Sequence, residues 1–470
     1  MGSVEERVDL SKHRDEVEVI VIPCPAQGHI NPLLQFAKHL AHHPPLKLTL
    51  PLILTNNTND SNHSTVQYQP LTPSLTIHHI PLLPYQGPDP EPLHALWERR
   101  QEAIRLHLIH LLTSIPNVAC VVFDSIFPWV LDLLKQFGVF GAAFFTQSCA
   151  VNAIYYNVYK GWLDVPLEEP LVSLDGLPPL RPSDFPSFIS NRVKYPDYLS
   201  FLTGQFTRLS DVDWIFTNTF DGLEPEEVKW IEGQFPFKNI GPMVPSIYLD
   251  GQLQNDKDYG VSMFESNNTD CTMKWLDSKD PKSVIYVSFG SAAELEKEQM
   301  EELAYGLKLT NKFFFWVVRE SEIHKLPHNF IKETAEEGLV VNWCSQLQVL
   351  AHQSVGCFIT HCGWNSTLEA LSLGVPMVAM AQWLDQPTNA KYVEDVWKIG
   401  KRVRMEENGI CGREEIEFCV NEVMEGGEVN GEIRENLRKW RELAKAAMDE
   451  AGSSHQNINY FVEQLVNKTN

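Results

Sequence analysis

Two residues in the first third of the chain have the types and placement for proton transfer. His29 follows the apolar run Val17 to Pro23, within Pro23-Cys24-Pro25-Ala26-Gln27-Gly28-His29-Ile30-Asn31-Pro32, and precedes the helical pattern Leu33 to His42. The loop between a parallel strand and its helix is where ligands bind in open α/β sheets. A neutral imidazole placed there can take a proton from a hydroxyl near neutral pH. Asp124 closes a second apolar run, Val118 to Phe123, and so belongs on the same sheet edge. From there a carboxylate can orient the imidazole and stabilise the imidazolium, as the aspartate of a Ser-His-Asp triad does. Each residue alone also reads plainly, His29 as a surface side chain and Asp124 as a helix cap, and the pair is worth more than either member. Asn31 is expected as the N-cap of the following helix and Pro32 as its first residue.

A second constellation suits an anion. The run Val355 to Thr360 leads into His361-Cys362-Gly363-Trp364-Asn365-Ser366-Thr367-Leu368-Glu369, then a helix that ends before Gly374. A glycine-containing turn from strand to helix presents unpaired backbone N–H groups backed by the positive end of the helix dipole, which is a seat for phosphate. Ser366-x-x-Glu369 reads equally as a capping box that needs no ligand, and spacing does not separate the two. Gly290-Ser291, after Val284 to Phe289, is another strand-end turn that could meet phosphates or be only a turn. The chain has no G-x-G-x-x-G or G-x-x-x-x-G-K-[ST] string, against a dinucleotide oxidoreductase or a P-loop NTPase. Cys357, His361 and Cys362 cluster without a C-x-x-C pair, so zinc is not expected, and Asp211-x-Asp213 precedes its strand and reads as a solvated turn.

The elements that must hold these residues alternate as short apolar runs and longer helical patterns, the βαβ rhythm of parallel sheets. The N-terminal runs are Val17 to Pro23, Leu46 to Leu54, Val118 to Phe123, Val139 to Phe145 and Trp214 to Thr217. The C-terminal ones are Val284 to Phe289, Phe313 to Val318, Leu339 to Val341, Val355 to Thr360 and Pro376 to Ala381. An α/β chain of 470 residues with this pattern predicts two doubly wound domains. The expected division is a charged tail at 1–16, domains at 17–243 and 272–452, a linker at 244–271, and a terminal helix within 453–470 that returns to the N-terminal domain. The proline-rich segment Leu174 to Asp197 is expected as a surface loop beside a cleft.

Sixty-one acidic against thirty-eight basic side chains give a net charge of −23, which disfavours nucleic acid and anionic membranes as partners. The charged N-terminus lacks a secretory apolar segment, and no run reaches the length of a membrane span, so a cytoplasmic protein is expected. Nine scattered cysteines suit reduced thiols, and sequons such as Asn365-Ser366-Thr367 are expected to carry no glycan.

Taken together, the segment from Trp343-Cys344-Ser345-Gln346, through HCGWNSTLEAL, to Trp383-Leu384-Asp385-Gln386 closely resembles the signature box of plant secondary-product UDP-glycosyltransferases, and has that box's length. The resemblance runs from Val17 to the C-terminus. It implies two facing Rossmann-like halves, the GT-B architecture, with the acceptor bound by the N-terminal half and UDP-glucose, the only co-substrate, by the C-terminal half. It implies that Trp343 stacks on uracil, that Gln346 and Glu369 address the nucleoside, and that Glu369 binds the ribose hydroxyls. His361, Asn365, Ser366 and Ser291 would contact the diphosphate, while Asp385, Gln386, the Trp364 backbone and Thr146 would hold the sugar. Gly28, Cys344 and Gly363 complete the implied donor site. The closing Gln386 is the usual family choice for glucose.

The strings PAQGHINP and FDS match the family's catalytic dyad, His29 and Asp124. The implied reaction is a direct displacement that turns an α-linked donor into a β-glucoside, without a metal. Strings such as TFDGLEPEEVKW and LPHNF are similar to the subfamily that glucosylates salicylate, thiohydroximates, triterpenoids and steroids. An acceptor wall of Phe144, Phe145, Tyr155, Tyr156, Tyr159 and Phe188 is expected, and a steroid or triterpenoid hydroxyl is favoured over a phenolic or carboxylic acid. A non-catalytic nucleotide-sugar-binding protein on the same fold and a sugar-nucleotide epimerase are the competing readings, and a monomer is expected.

Overall fold

Alternate residues of the first strand point into different cores. Val19 and Val21 join one apolar cluster while Ile20 and Ile22 join another, the signature of a strand buried on both faces. The computed structural model describes residues 16–53, 67–82, 85, 87, 91–191, 198–261 and 269–469. Among them the first sheet comprises β1 (Val17–Ile22), β2 (Leu46–Leu52), β3 (Gln67–Thr72), β4 (Leu75–His79), β5 (Val118–Asp124), β6 (Phe140–Phe145), β7 (Trp214–Thr217) and β8 (Lys238–Asn239). Its order is β3-β4-β2-β1-β5-β6-β7-β8, parallel except for the β3–β4 pair. The second sheet comprises β9 (Val284–Ser288), β10 (Phe313–Val317), β11 (Gly338–Val341), β12 (Val355–Thr360), β13 (Met377–Ala379) and β14 (Gly400–Arg402), all parallel, in the order β11-β10-β9-β12-β13-β14.

Each order reverses direction once near its middle, between β1 and β5 in the first sheet and between β9 and β12 in the second. The chain leaves those neighbouring strands on opposite faces of the sheet, which opens a crevice at their carboxyl ends. All ten expected strands are present, although Leu54, which closes one expected run, lies outside the described residues. The two-residue β8, the short β14 and the β3–β4 hairpin beside the polar stretch 55–66 are additional. Their short or polar sequences carry too little periodicity to announce a strand.

Two local expectations are corrected. The first helix spans Gln27–Ala41 with Ala26 at its N-cap, so His29 sits in its first turn and Asn31 and Pro32 lie inside it. Pro32 has no N–H to give the carbonyl four residues back, that of Gly28. The proline-rich segment borders the cleft through Phe188 but is a surface loop only in part: Asp175, Pro179 and Ser190 are exposed, whereas Asp184, Phe185 and Phe188 are buried. It bridges the two halves through Thr388 Oγ1 to the Asp184 carbonyl at 2.7 Å, Arg402 to the Asp184 carboxylate at 2.5 Å, and Ser187 N–H to the Leu384 carbonyl at 2.8 Å. Residues 192–197 of that segment lie outside the described residues.

The stretch between the sheets is pinned as well. Asp256 accepts from Gln35 at 2.6 Å and from the Ser246 N–H at 2.7 Å, and it pairs with Lys38 at 2.8 Å. The terminal helix Ser453–Thr469 lies on the first sheet. Ser454 donates to the Gly241 carbonyl and Asn457 to that of Asn239, while Phe461 packs 5.0 Å from the rings of both Trp214 and Phe216. Among the described residues no helix is long and apolar enough to cross a membrane.

Phe461 is 1% exposed. Phe461→Ala is expected to cost about 3–5 kcal/mol of unfolding free energy, measured by denaturant titration. A loss below about 1 kcal/mol would show that the helix contributes little to holding the first sheet.

Candidate active site

His29 Nδ1 lies 2.6 Å from Asp124 Oδ2. Asp124 is fully buried at the end of β5 and is held there by the Cys24 and Ile126 N–H groups, each at 3.3 Å. Thr146, just past β6, brings its hydroxyl to 3.3 Å from the same ring nitrogen. With Nδ1 engaged, Nε2 is the nitrogen available to the cleft, and the imidazole is 29% exposed toward it. Burial disfavours protonation of His29, but the charge and hydrogen bond of Asp124, with Asp385 adding to them, outweigh it and raise the pKa above its ordinary value.

Opposite His29, β12 runs through His361 and Cys362 into the helix Trp364–Leu373, whose N-cap is Gly363 and whose first turn has no acidic residue. The His361 ring is wedged between two glycines: a Cβ on Gly290 would meet it at 2.8 Å and one on Gly363 at 2.6 Å. Gly290 has φ +71°, which also favours glycine. Burial holds the His361 pKa down to about 4, so it is a neutral hydrogen-bonding ring at neutral pH. Ser366 lies inside the helix, which removes the capping-box reading.

Glu369 forms hydrogen bonds across the site instead of capping the helix. One oxygen accepts from Gln346 at 2.7 Å and the other from the Tyr259 hydroxyl at 2.8 Å, while Gln346 also donates to Ser366 Oγ at 2.9 Å. Burial pushes the Glu369 pKa up to about 7 against those two hydrogen bonds. The side-chain oxygen of Gln386 accepts from the N–H groups of Gln382 and Trp383 and closes the turn before its own helix. Asp385, raised by burial to about 6, accepts from Asn389 at 2.6 Å.

Most of these groups line one cleft of about 1150 Å³ between the two sheet edges. It gathers Gly28, His29, Thr146, Ser291, Trp343, Cys344, Gln346, His361, Gly363, Trp364, Asn365, Ser366, Glu369, Asp385 and Gln386, with Asp124 behind His29. Asn365 Nδ2 donates at 2.7 Å to the Gly28 carbonyl, the acceptor that Pro32 leaves free inside its helix, and so ties one half to the other. Trp364 Nε1 makes a parallel tie to the Asn218 carbonyl, also at 2.7 Å.

Of the expected aromatic wall only Phe188 lines the cleft. Phe144 and Phe145 alternate into the two cores, against Phe36 and Phe206 respectively, and Tyr155 is fully buried. Tyr156 and Tyr159 pack around Phe206. The apolar wall is instead Leu96, Trp97, Ile126, Tyr198, Phe201 and Leu202. Cys357 is buried within β12, Asp211 pairs with Arg208, and Asp213 accepts from the Gly141 N–H. Sequence reasoning also missed Tyr259, Tyr286 and Asn389. No motif marks them: Tyr259 and Tyr286 reach the site through tertiary contact with Glu369 and Gln346, and Asn389 lies one helical turn beyond Asp385.

Two facing, largely parallel sheets with a cleft between their switch points, a His29–Asp124 pair on one edge and a helix N-terminus on the other, have the arrangement of a GT-B glycosyltransferase. Residues 210–433 match the family model described as UDP-glucoronosyl and UDP-glucosyl transferase. The chain is 47% identical to UDP-glycosyltransferase 74E2 of Arabidopsis thaliana over 96% of its own length and 100% of that protein's. It is 46% identical to mogroside I-E synthase of Siraitia grosvenorii over 96% of its own length and 99% of that protein's. The structure of Os79 from O. sativa in complex with UDP superposes with a TM-score of 0.85 at 37% identity, covering 95% of this chain and 100% of that one. The chain therefore belongs to the plant family-1 UDP-glycosyltransferases, enzymes that transfer a sugar from UDP to a small acceptor.

Because Asp124 raises the His29 pKa, Asp124→Asn is expected to lower it, as followed by an NMR titration of the ring. The sign also sets a stability term: the pair's contribution is complete below the unfolded-state histidine pKa and fades as pH rises through the higher folded value. A His29 pKa unmoved by the substitution would show that Asp124 does not set its charge.

Proposed function

We propose that this enzyme is an inverting UDP-glucose-dependent O-glucosyltransferase acting on a hydroxyl of an apolar acceptor, a steroid or triterpenoid. The observation that carries the reading is the 2.6 Å His29–Asp124 pair facing, across one cleft, the helix that begins at Trp364. His29 Nε2 takes the acceptor proton, and Asp124 stabilises the imidazolium. The acceptor oxygen attacks the anomeric carbon from the face opposite UDP, giving a β-glucoside.

UDP leaves toward the first turn of the helix Trp364–Leu373, where backbone N–H groups, Asn365, Ser366, Ser291 and neutral His361 meet the growing diphosphate charge. Trp343 stacks on the uracil, and Glu369, oriented by Gln346, receives the ribose hydroxyls. Asp385 and Gln386 take the sugar hydroxyls. The side-chain oxygen of Gln386 is already committed to its own turn, so its NH₂ is the end offered to glucose. No metal is needed, since these donors carry the charge. The apolar wall of Trp97, Ile126, Phe201 and Leu202 supports a polycyclic acceptor, as does the relative named for making a mogroside, a triterpenoid glycoside.

The test is incubation with UDP-glucose and a panel of sterols, triterpenoids, flavonoids and phenolic acids, with product mass and linkage as the readout. A β-glucoside of a polycyclic hydroxyl is expected, and glucosylation of small phenolic acids alone would overturn the acceptor assignment. His29→Ala is expected to reduce transfer by about 100- to 10,000-fold while keeping UDP affinity; wild-type turnover in that variant removes His29 from the mechanism. In the wild type, kcat/KM should rise with pH through the raised His29 pKa, because only the neutral ring accepts a proton. Turnover should be unchanged by EDTA, and a loss reversed by Mg²⁺ would overturn the metal-free account.

A further inference from the structure

Glu369 lines the cleft and is 3% exposed, and among the described residues its carboxylate has one side-chain donor on each oxygen. The first donor belongs to its own half. Gln346 Nε2 donates at 2.7 Å, and the Tyr286 hydroxyl, donating to Gln346 Oε1 at 3.1 Å, fixes which way that amide points. The second comes from outside that half. The Tyr259 hydroxyl donates to the other oxygen at 2.8 Å, from a strap of residues 256–261 in the stretch between the sheets.

The strap is fastened at both ends to the helix Gln27–Ala41, which carries His29. At one end Lys38 pairs with Asp256 at 2.8 Å and donates to the Asp258 carbonyl, while Gln35 donates to Asp256 at 2.6 Å. At the other, Gln27 Nε2 donates to the Val261 carbonyl at 3.3 Å. Gly260, at φ +90°, makes the turn between Tyr259 and Val261. The phenol is therefore held in place by the N-terminal half while it bonds to a side chain of the C-terminal half. Burial, with the charge of Glu369 adding to it, raises the Tyr259 pKa well above its ordinary value, so the hydroxyl stays a donor.

An ionised carboxylate has about four acceptor positions, two on each oxygen. With one on each taken by Gln346 and Tyr259, one on each remains, the pair of acceptors that two adjacent hydroxyls of a ring would fill. A buried carboxylate short of donors takes up a proton, and burial already lifts the Glu369 pKa to about 7. We propose that Tyr259 is a positioning residue of the donor site: from its strap it holds Glu369 in the orientation that receives the ribose 2′- and 3′-hydroxyls, and so sets the preference for a ribonucleotide over a deoxyribonucleotide. The inference rests on the UDP-glucose reading and adds to its donor site a residue from outside the C-terminal half.

Calorimetric titration with UDP and with 2′-deoxy-UDP tests this. The wild type is expected to bind UDP about tenfold or more tightly than 2′-deoxy-UDP. Tyr259→Phe, which keeps the ring and removes only the hydroxyl, should bring the two affinities within about threefold of each other, mainly by weakening UDP. Glu369→Gln should also shrink the preference, and adding Tyr259→Phe to it should change nothing further, because the tyrosine acts through the carboxylate. Four results overturn the proposal: a preference that persists in Tyr259→Phe, an equal loss of both nucleotides in that variant, tighter UDP binding in it, which would mean that the phenol occupies the place of the ribose, or an effect undiminished in the Glu369→Gln background. A wild type that binds both nucleotides equally overturns it as well and leaves the transferase reading standing. A wild type that does not bind UDP removes the transferase reading itself, and the role of Tyr259 with it.

Discussion

A parallel sheet places all its strand carboxyl ends, and the N-termini of the helices that follow them, on one edge. This protein has two such sheets with those edges turned toward each other, and its site chemistry depends on that arrangement. His29 and Asp124 come from neighbouring strands on either side of one switch point, and Ser291 and His361 from neighbouring strands on either side of the other. In the proposed reaction the base comes from one edge and the seat for the leaving diphosphate from the other, so the contacts that hold the two edges across a single cleft matter to that reaction as much as to the fold.

Those contacts use atoms that secondary structure leaves over. Pro32 cannot donate inside its helix, and the Gly28 carbonyl it leaves free accepts from Asn365 in the phosphate-side turn. The proline that interrupts the helix thereby frees the acceptor for the tie, on the residue next to His29. Asp184, within the proline-rich segment, receives Arg402 from the second sheet, and its carbonyl receives Thr388. Glu369 is bonded by Gln346 from its own half and by Tyr259 from the stretch between the sheets. The polar groups bridging the cleft are thus largely paired.

Much of this was legible in the chain. The strands that carry the site were marked by apolar runs long enough to be buried on both faces, and a strand end followed by a helix locates a ligand edge whatever the rest of the fold does. His29, Asp124 and the segment Trp343 to Gln386 all lie within a few residues of such ends. The aromatic wall was not legible, because an aromatic near a strand end can face a core as well as a cleft. Phe144 and Phe145 differ by one position and enter different cores. Most of the residues that do form the apolar wall of the cleft come from helices whose orientation no local pattern encodes.

The sequence by itself determined the parallel α/β class and the two strand-to-helix turns with their chemistry, and the resemblance of its signature segment pointed to a UDP-sugar donor. The class and the turns depend on periodicity, chirality and the short-range geometry of strand, turn and helix, which neighbouring residues dictate. Tertiary structure alone decided that His29 lies 2.6 Å from Asp124 and that Glu369 is bridged by Tyr259 instead of capping its helix. Each of those facts is a meeting of groups separated by many residues. It arises from the packing of whole elements, which a local sequence pattern does not contain.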